Sequence, residues 1–132
     1  MFEISVRDEF SSAHNLRGYK GKCEALHGHN WQVEVVVLSS KLDDIGMAID
    51  FKKLKEIVNS VIKELDHTYL NELPYFSAVG GSASGGKKVN PTSENIAKFV
   101  FDKINPLVKK ESVVLKSVSI WESQDSKATY SD

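Results

Sequence analysis

The sequence predicts an α+β fold in which helices cover one face of an antiparallel sheet. Two observations support this prediction: apolar residues alternate with period two in three segments, and they recur at helical spacing in two others. The predicted order is strand, strand, helix, loop, helix and strand, without an internal repeat or an interdomain linker. With 132 residues, of which 41% are hydrophobic and 27% charged, we expect a single domain over residues 1–132.

Three strands are predicted from the alternation. The first spans Phe2 to His14, where Phe2, Ile4, Val6 and Phe10 share one parity and Glu3, Ser5, Arg7 and Glu9 the other. After a glycine-containing loop over Asn15–Lys22, a second strand is predicted from His27 to Leu38, as the antiparallel neighbour of the first. The last strand runs from about Val113 to Glu122. Its inward residues are predicted to be Val114, Val118 and Ile120, with Lys116 as the exception to the pattern.

Two helices are predicted from spacing and end signals. Asp50 is a favourable N-cap, and the apolar pattern that follows extends the first helix to near His67. The second helix begins with Thr92 or Ser93 as N-cap and stops around Pro106–Lys110.

Two less regular segments remain. Met47–Ile49 is a candidate for a short extra strand. The glycine-rich stretch Gly80–Lys88 is close to a phosphate-binding P-loop, but Lys88 stands where that motif needs Ser or Thr, and Pro91 follows where a helix should start. We therefore interpret this stretch as a surface loop.

Charge and composition exclude several classes of protein. Seventeen basic against eighteen acidic residues give a formal net charge of -1, so we expect no nucleic-acid partner held by a broad basic surface. No run approaches the ~20 apolar residues that span a bilayer, and Arg7 interrupts the start before a signal peptide could form. We expect a cytoplasmic protein without a membrane partner. The single cysteine, Cys23, cannot form an intramolecular disulfide.

Histidines form the most informative cluster. His27 and His29 lie two residues apart in a predicted strand, so both project to the apolar face that Trp31 shares. His14, at the end of the first strand, is in phase to join them. Three histidines with an open fourth position are typical of a catalytic zinc site, although structural histidines satisfied by hydrogen bonds give the same pattern. Cys23 could be a fourth ligand of a closed structural site, or a base or nucleophile.

Three further titratable residues stand out. Asp66 and His67 close the first helix. Adjacent helical residues diverge by about 100°, so the two need not bond each other, and these two residues alone are typical of an ordinary solvated helix end. Glu122 shares the inward parity of its strand. A carboxylate there needs a donor, which a ligand with two neighbouring N–H groups would supply.

Six short blocks, in this order, resemble the 6-pyruvoyl tetrahydropterin synthase family and, within it, the branch of 6-carboxy-5,6,7,8-tetrahydropterin synthases. They cover nearly the whole chain. The blocks are Phe10–His14, Cys23-x-x-x-His27-Gly-His29, Asp50-Phe51, Leu65-Asp66-His67-x-x-Leu70-Asn71, Pro91–Asn95 and Trp121–Ser123. The resemblance implies the tunnelling fold: a four-stranded antiparallel sheet carries two helices on one face, three subunits close a β-barrel, and two trimers stack into a homohexamer.

The resemblance also implies roles for the site residues. The zinc ligands would be His14, His27 and His29. Cys23 would be the thiolate that abstracts a proton, with Asp66 and His67 as relay and acid partners contributed across a subunit interface. Glu122 would anchor the pterin ring. The pocket would be lined by Thr92, Ser93 and Glu94.

The implied reaction converts 7,8-dihydroneopterin triphosphate to 6-carboxy-5,6,7,8-tetrahydropterin, with release of acetaldehyde and triphosphate, in queuosine biosynthesis. The three-residue gap between Cys23 and His27 favours this branch. Glu24 beside the cysteine resembles relatives that cleave the dihydroneopterin side chain for folate synthesis, and the pyruvoyl-type reaction is a further alternative. A non-catalytic assembly module, with Cys23 completing a four-ligand zinc site, is the alternative of another class. Candidates for steering the triphosphate are Arg17, Lys20 and Lys22.

Overall fold

A computed structural model of the chain describes residues 1–77 and 88–132. The strands are β1 (Phe2–His14), β2 (His27–Ser39), β3 (Thr68–Tyr69), β4 (Val114–Ser123) and β5 (Ser126–Tyr130). The α-helices are α1 (Phe51–Ile62), α2 (Pro74–Ser77) and α3 (Ser93–Lys109). Within the described part of the chain, the strands form one five-stranded sheet in the order β3-β1-β2-β4-β5. All pairs are antiparallel except β3 with β1.

The core lies between one face of this sheet and helices α1 and α3. Strand β2 is the centre of the core, because its alternate residues from Trp31 to Val37 are fully buried, as predicted. The apolar stripe of α1 includes Leu54 and Val58, and that of α3 includes Ile96 and Val100. All of these residues belong to one hydrophobic cluster. The predicted α+β fold is therefore confirmed.

The sheet has two more strands than the three predicted from alternation, and five rather than the four that the resemblance implies. Strand β3 is only two residues long, too short to show a period. Strand β5 is an edge strand whose residues are partly or fully exposed, so it lacks the apolar alternation of a half-buried strand. The candidate strand Met47–Ile49 is not formed. Instead, the Asp43 carboxylate accepts the backbone N–H groups of Ile45 and Met47 and closes a turn there.

Helix α1 ends at Ile62, earlier than the predicted end near His67. Beyond it, tight turns bring the backbone N–H of Leu65 to the carbonyl of Ile62. His67 has φ of 54°, a left-handed conformation that cannot continue a right-handed helix. Its N–H instead donates to the carbonyl of Ser11 at 2.7 Å, which joins the chain to β1. The Asp66–His67 pair therefore lies on a turn, outside the helix.

Strand β4 contains a β-bulge at Lys116, the residue that broke the predicted alternation. Val36 of β2 pairs with Ser117, but the next residue, Val37, pairs with Leu115, so Lys116 is the extra residue. The bulge reverses the parity before it. Val114 is therefore 65% exposed rather than inward, and Leu115 is buried in its place.

Helix α3 matches its prediction at both ends. The Thr92 hydroxyl accepts the backbone N–H of Asn95 at 3.2 Å, as an N-cap does, and the helix stops at Lys109, three residues after Pro106. The predicted surface loop Gly80–Lys88 lies outside the described residues except for Lys88. No helix among residues 1–77 and 88–132 is long and apolar enough to cross a membrane.

Candidate active site

Two neighbouring strands bring the three histidines together. In the antiparallel register, His14 of β1 pairs with His27 of β2, and Ser12 pairs with His29. Directly opposite residues project to the same face, so all three imidazoles lie on the helix side at one end of the sheet. Their ring centroids are 4.5–5.2 Å apart. The fully buried Trp31 packs edge-on against the rings of His14 and His29.

Glu122 joins the histidines from the end of β4. One carboxylate oxygen, Oε1, lies 2.8 Å from Nε2 of His29, 3.4 Å from Nε2 of His14 and 4.0 Å from Nε2 of His27. One ligand atom from each of the four residues lies within 4.8 Å of the others. We call these four residues the His–Glu cluster.

The backbone fixes which nitrogens of two histidines carry protons. His14 Nδ1 donates to the carbonyl of Pro91 at 2.7 Å, and His27 Nδ1 donates to the carbonyl of Ala25 at 2.8 Å. Their Nε2 atoms then carry lone pairs in the neutral rings, yet these two atoms lie only 2.9 Å apart. Two facing acceptors repel each other unless a cation or a shared proton lies between them. Nδ1 bound to a backbone carbonyl is the usual arrangement behind a histidine that binds metal through Nε2.

The surroundings of His29 also bear on whether the His–Glu cluster can hold a metal ion. His29 Nε2 is buried and, among the described residues, makes no hydrogen bond of acceptable geometry, although Glu122 Oε1 lies close. Burial also lowers the pKa of His14 and of His29, which favours the neutral ring, the form that binds metal. Three histidine nitrogens with an open fourth position suit a catalytic Zn²⁺. The residues present therefore fit a bound zinc ion.

Cys23 lies on a 3-10 turn over Lys22–Glu24, between β1 and β2. Its side chain is partly exposed, and its carbonyl accepts the N–H of Leu16 at 2.8 Å. Cys23 is not part of the His–Glu cluster, whose fourth member is Glu122. The alternative of a structural site completed by the cysteine is therefore not supported.

A cavity of about 340 Å³ opens beside the His–Glu cluster. His14 and Glu122 line it together with all three predicted pocket residues, Thr92, Ser93 and Glu94. Its wall also contains Lys127 of β5, which the sequence analysis missed because the edge strand itself was not predicted. The only sequence signal for Lys127 is its position five residues beyond Glu122, across a tight turn.

Asp66 and His67 form a hydrogen-bonded pair, contrary to the expectation for two successive helical residues. His67 Nδ1 lies 2.9 Å from Asp66 Oδ2, while Asp66 Oδ1 accepts the N–H of Ser11. The hydrogen bond from Ser11 is the main cause that holds the pKa of the Asp66 carboxyl below its usual value. The left-handed conformation of His67 turns its ring back toward Asp66, where an α-helix would separate the two side chains.

The pair faces a different cavity from the one beside the predicted pocket. His67, together with Ser11, Gly28 and Asn30, lines a cavity of about 390 Å³ that shares no residue with the cavity at Thr92–Glu94. His29 is the one member of the His–Glu cluster that borders it. The His67 side chain is 83% exposed. The described chain thus brings the histidines, Glu122 and Thr92–Glu94 together, and of these residues only His29 shares a cavity with His67.

The three basic residues predicted to steer a triphosphate differ in their surroundings. Arg17 donates from Nη1 to the carbonyl of Val89 and from Nη2 to the carbonyl of Asn71. Its guanidinium is therefore committed to the backbone. Lys20 and Lys22 are exposed.

Comparison with known proteins places this geometry in a family. The 6-pyruvoyl tetrahydropterin synthase family model matches residues 3–132. The chain is 33% identical to the 6-carboxy-5,6,7,8-tetrahydropterin synthase of Haemophilus influenzae, over 100% of both chains. It is 37% identical to the protein of that name from Synechocystis, covering 98% of this chain and 93% of the relative. A dihydroneopterin monophosphate aldolase from Pyrococcus furiosus is 35% identical over 92% of this chain and 90% of its own.

Solved structures agree with the sequence matches. The 6-pyruvoyl tetrahydropterin synthase of Caenorhabditis elegans superposes with a TM-score of 0.82 and 29% identity, covering 99% of this chain and 95% of that one. The Plasmodium falciparum enzyme of the same name gives a TM-score of 0.72 and 26% identity, over 99% and 97% of the two chains. The described fold and the match over nearly the whole sequence establish that this chain belongs to the 6-pyruvoyl tetrahydropterin synthase family.

Proposed function

We propose that this enzyme is a zinc-dependent lyase that converts 7,8-dihydroneopterin triphosphate to 6-carboxy-5,6,7,8-tetrahydropterin, with release of acetaldehyde and triphosphate. The observation that carries the proposal is the convergence of the Nε2 atoms of His14, His27 and His29, with Nδ1 of the first two held by backbone carbonyls. Relatives from Haemophilus influenzae and Synechocystis named as 6-carboxy-5,6,7,8-tetrahydropterin synthases support the product. We assign the reaction to queuosine biosynthesis, in a cytoplasm that keeps Cys23 reduced.

In this proposal, the zinc ligands are His14, His27 and His29. Bound zinc would supply a Lewis acid that acidifies the side-chain hydroxyls of the substrate and their neighbouring protons. Cys23 removes a proton from the side chain, a task that suits a partly exposed thiol whose acidity a bound cation would raise. Glu122 accepts hydrogen bonds from the 2-amino and N3 hydrogens of the pterin ring, which enters the cavity that Thr92, Ser93 and Glu94 line.

Asp66 and His67 serve as the proton relay and acid. Asp66 holds His67 in one orientation, as a general acid requires. Because His67 lines a different cavity from Glu122 and Thr92–Glu94, we propose that it acts on substrate bound by the His–Glu cluster of a neighbouring subunit.

We propose a homohexamer, built as a dimer of trimers. Strand β5 pairs only with β4 among the described residues, so one edge of the sheet is open to another subunit. Leu26, next to the metal site, is 63% exposed, and Tyr19 is also exposed, as expected for residues that a neighbouring subunit covers.

The direct experiment is to incubate the purified protein with 7,8-dihydroneopterin triphosphate and to identify the products by mass spectrometry. Acetaldehyde and a carboxylated tetrahydropterin are expected. Recovery of unchanged substrate by the zinc-loaded protein would contradict the proposal.

The variant Cys23→Ala tests whether Cys23 acts as the base or as a metal ligand. The variant should retain about one zinc per chain, since three histidines are enough for a catalytic zinc site. It should lose turnover. Loss of zinc in Cys23→Ala, with the parent protein inactive, would instead favour a structural metal site.

A second candidate reaction is cleavage of the dihydroneopterin side chain, as the name of the Pyrococcus furiosus relative describes. Glu24 favours it, because this exposed carboxylate follows Cys23 directly and could act as an alternative base. The same mass measurement distinguishes the two: cleavage leaves a hydroxymethyl-pterin instead of the carboxylated product. Glu24→Gln should abolish that product and leave the carboxy reaction intact.

A further inference from the structure

We propose that Asn71 and Asn90 are positioning residues that hold the loop bearing Cys23 in place. Each asparagine side chain pairs in both directions with the backbone of one residue at the base of this loop. We call residues 15–24 the cysteine loop. The inference rests on the proposed role of Cys23 and extends it to two residues outside the cavities described above.

Asn71 pairs with the backbone of Asn15. Its Oδ1 accepts the N–H of Asn15 at 2.9 Å, and its Nδ2 donates to the carbonyl of the same residue at 2.9 Å. The side-chain amide thereby imitates a neighbouring β-strand. Rotating the amide by 180° would oppose oxygen to oxygen and N–H to N–H, so the two contacts fix its orientation. Asn71 is buried, and losing either contact would leave a polar group without a partner.

Asn90 repeats the arrangement two residues further along the loop. Its Oδ1 accepts the N–H of Arg17 at 3.0 Å, and its Nδ2 donates to the carbonyl of Arg17 at 2.9 Å. The Arg17 guanidinium then bonds back to the carbonyls of Asn71 and Val89. The two asparagine clamps are thus tied to each other through one arginine.

Residues 15–17 in turn hold the backbone at the cysteine. Leu16, which lies between the two clamped residues, donates its N–H to the carbonyl of Cys23 at 2.8 Å. Asn15 donates from Nδ2 to the carbonyl of Glu24 at 3.2 Å, and its Oδ1 accepts the hydroxyl of Tyr69. Cys23 and Glu24 are therefore each one hydrogen bond away from a clamped segment.

The clamps come from the two other segments that carry the proposed chemistry. Asn71 lies four residues beyond His67. Asn90 precedes Pro91, whose carbonyl accepts Nδ1–H of His14, and the carbonyl of Asn90 itself accepts from Asn95 in the first turn of α3. This hydrogen-bond network connects Cys23 to the proposed metal ligand His14 and to the first turn of α3, which lines the cavity. A shift of about 1 Å in a reacting group can lower a catalytic rate by about 100-fold.

The test compares three aspartate variants. Asn71→Asp and Asn90→Asp keep an acceptor for the backbone N–H but place an oxygen against the backbone carbonyl. Asn59→Asp, on an exposed position of α1, is the control for the added charge. Because Cys23 is the single cysteine, the rate of its alkylation by iodoacetamide is read directly from the mass of the zinc-loaded protein.

We expect both clamp variants to raise the Cys23 alkylation rate by at least about threefold, because the loop opens more often. We also expect kcat with 7,8-dihydroneopterin triphosphate to fall about 10- to 100-fold. KM and the zinc content should stay at the values of Asn59→Asp, while the midpoint of thermal unfolding falls, because each variant leaves a backbone carbonyl without its donor. A general loss of structure would lower the zinc content together with kcat, which separates positioning from unfolding. Alkylation rates equal to that of the control would overturn the inference.

Hydrogen exchange on the unmodified protein gives a second test that does not depend on the variants folding. The N–H groups of Asn15 and Arg17 should exchange at least about tenfold more slowly than those of Gly18 and Lys20, which donate to no backbone acceptor among the described residues. Equal exchange rates for these four N–H groups would contradict the proposal that Asn71 and Asn90 hold the loop. Slow exchange with full turnover in Cys23→Ala would leave the clamps standing and refute the proposed role of the cysteine.

Discussion

A histidine binds metal through Nε2 only if its proton sits on Nδ1, and backbone carbonyls decide this for two of the three histidines here. Pro91 and Ala25 supply those carbonyls from segments outside the strands that carry the histidines. His14 is only 1% exposed, so its ring cannot exchange these contacts for water. The candidate metal site is therefore oriented by the protein's own hydrogen bonds.

The metal-free protein should lose stability as the pH falls below 6.5, the usual pKa of histidine. Burial lowers the pKa of His14 and of His29, so below pH 6.5 the unfolded chain binds protons that the native rings do not. The free energy of unfolding therefore decreases with falling pH. Urea unfolding of the metal-free protein at pH 7.5 and pH 5.5 measures the decrease.

His14→Gln is the matched variant for this pH dependence, since it removes one buried titratable ring. Its free energy of unfolding should change less between the two pH values than that of the parent. An equal or larger change in the variant would assign the pH dependence to other groups.

Asp66→Asn should lower kcat by about 10²–10⁴-fold, the usual contribution of an acid–base group. Asparagine can still accept the N–H of Ser11, but its NH₂ group would face Nδ1 of His67, where the carboxylate oxygen now lies. The histidine then loses the partner that orients it. Steady-state kinetics measure the loss, with zinc content as the check on the metal site.

Asp102→Asn is the control for this change, because it removes a carboxylate that pairs with Lys98 on the surface of α3. It should leave kcat unaltered. If Asp66→Asn were as active as Asp102→Asn, the pair would have no part in proton transfer.

The sequence predicts the residues of the site better than their contacts. Period two places His14, His27 and His29 on one face, and the same parity rule brings Glu122 to them. The Nδ1 partners could not be predicted, because any residue type supplies a backbone carbonyl. The Asp66–His67 bond was missed for a related reason: a helical pattern does not reveal a left-handed turn at its end.

Two features of the sheet, a β-bulge in β4 and the short strand β3, depend on local contacts that the sequence pattern does not show. The bulge at Lys116 reverses the parity of β4, so residues after it, including Glu122, have a different phase from Val114. The sequence shows the bulge only as an exception in the alternation. The two-residue strand β3 depends on β1 for its pairing and carries no pattern of its own.

Thr92→Ala should lower the free energy of unfolding by about 1 kcal/mol, the usual value of an N-cap. The Thr92 hydroxyl accepts the N–H of Asn95, and alanine leaves that donor at the start of α3 without a partner. Urea unfolding of the metal-free protein measures the effect. Thr92→Ser keeps the hydroxyl and should stay within a few tenths of a kcal/mol of the parent. A destabilised serine variant would show that the methyl group of Thr92, rather than the cap, is responsible.

At the scale of the whole chain, the site is divided between two cavities. Glu122 and the Thr92–Glu94 segment line one, and His67 lines the other. In the proposed mechanism, one chain therefore supplies the substrate-binding residues from one cavity and the acid–base pair from the other, which His29 also borders. In an oligomer, the metal-binding residues of one subunit could face the Asp66–His67 pair of the next subunit. Repeating this contact around the oligomer would complete every site.

Two inactive variants should therefore restore activity when their subunits mix. His14→Gln removes a proposed metal ligand, and His67→Ala removes the proposed acid, so each variant alone should be inactive. In randomly mixed oligomers, a site is complete when the His–Glu cluster of a His67→Ala subunit meets the Asp66–His67 pair of a His14→Gln subunit. Each half is intact in half of the subunits, so about one quarter of the parent activity is expected. Mixing His14→Gln with His27→Gln is the matched control and should restore nothing, because both lack the cluster. Native mass spectrometry establishes that subunits have exchanged, and mixed oligomers without activity would place both halves of the site in a single chain.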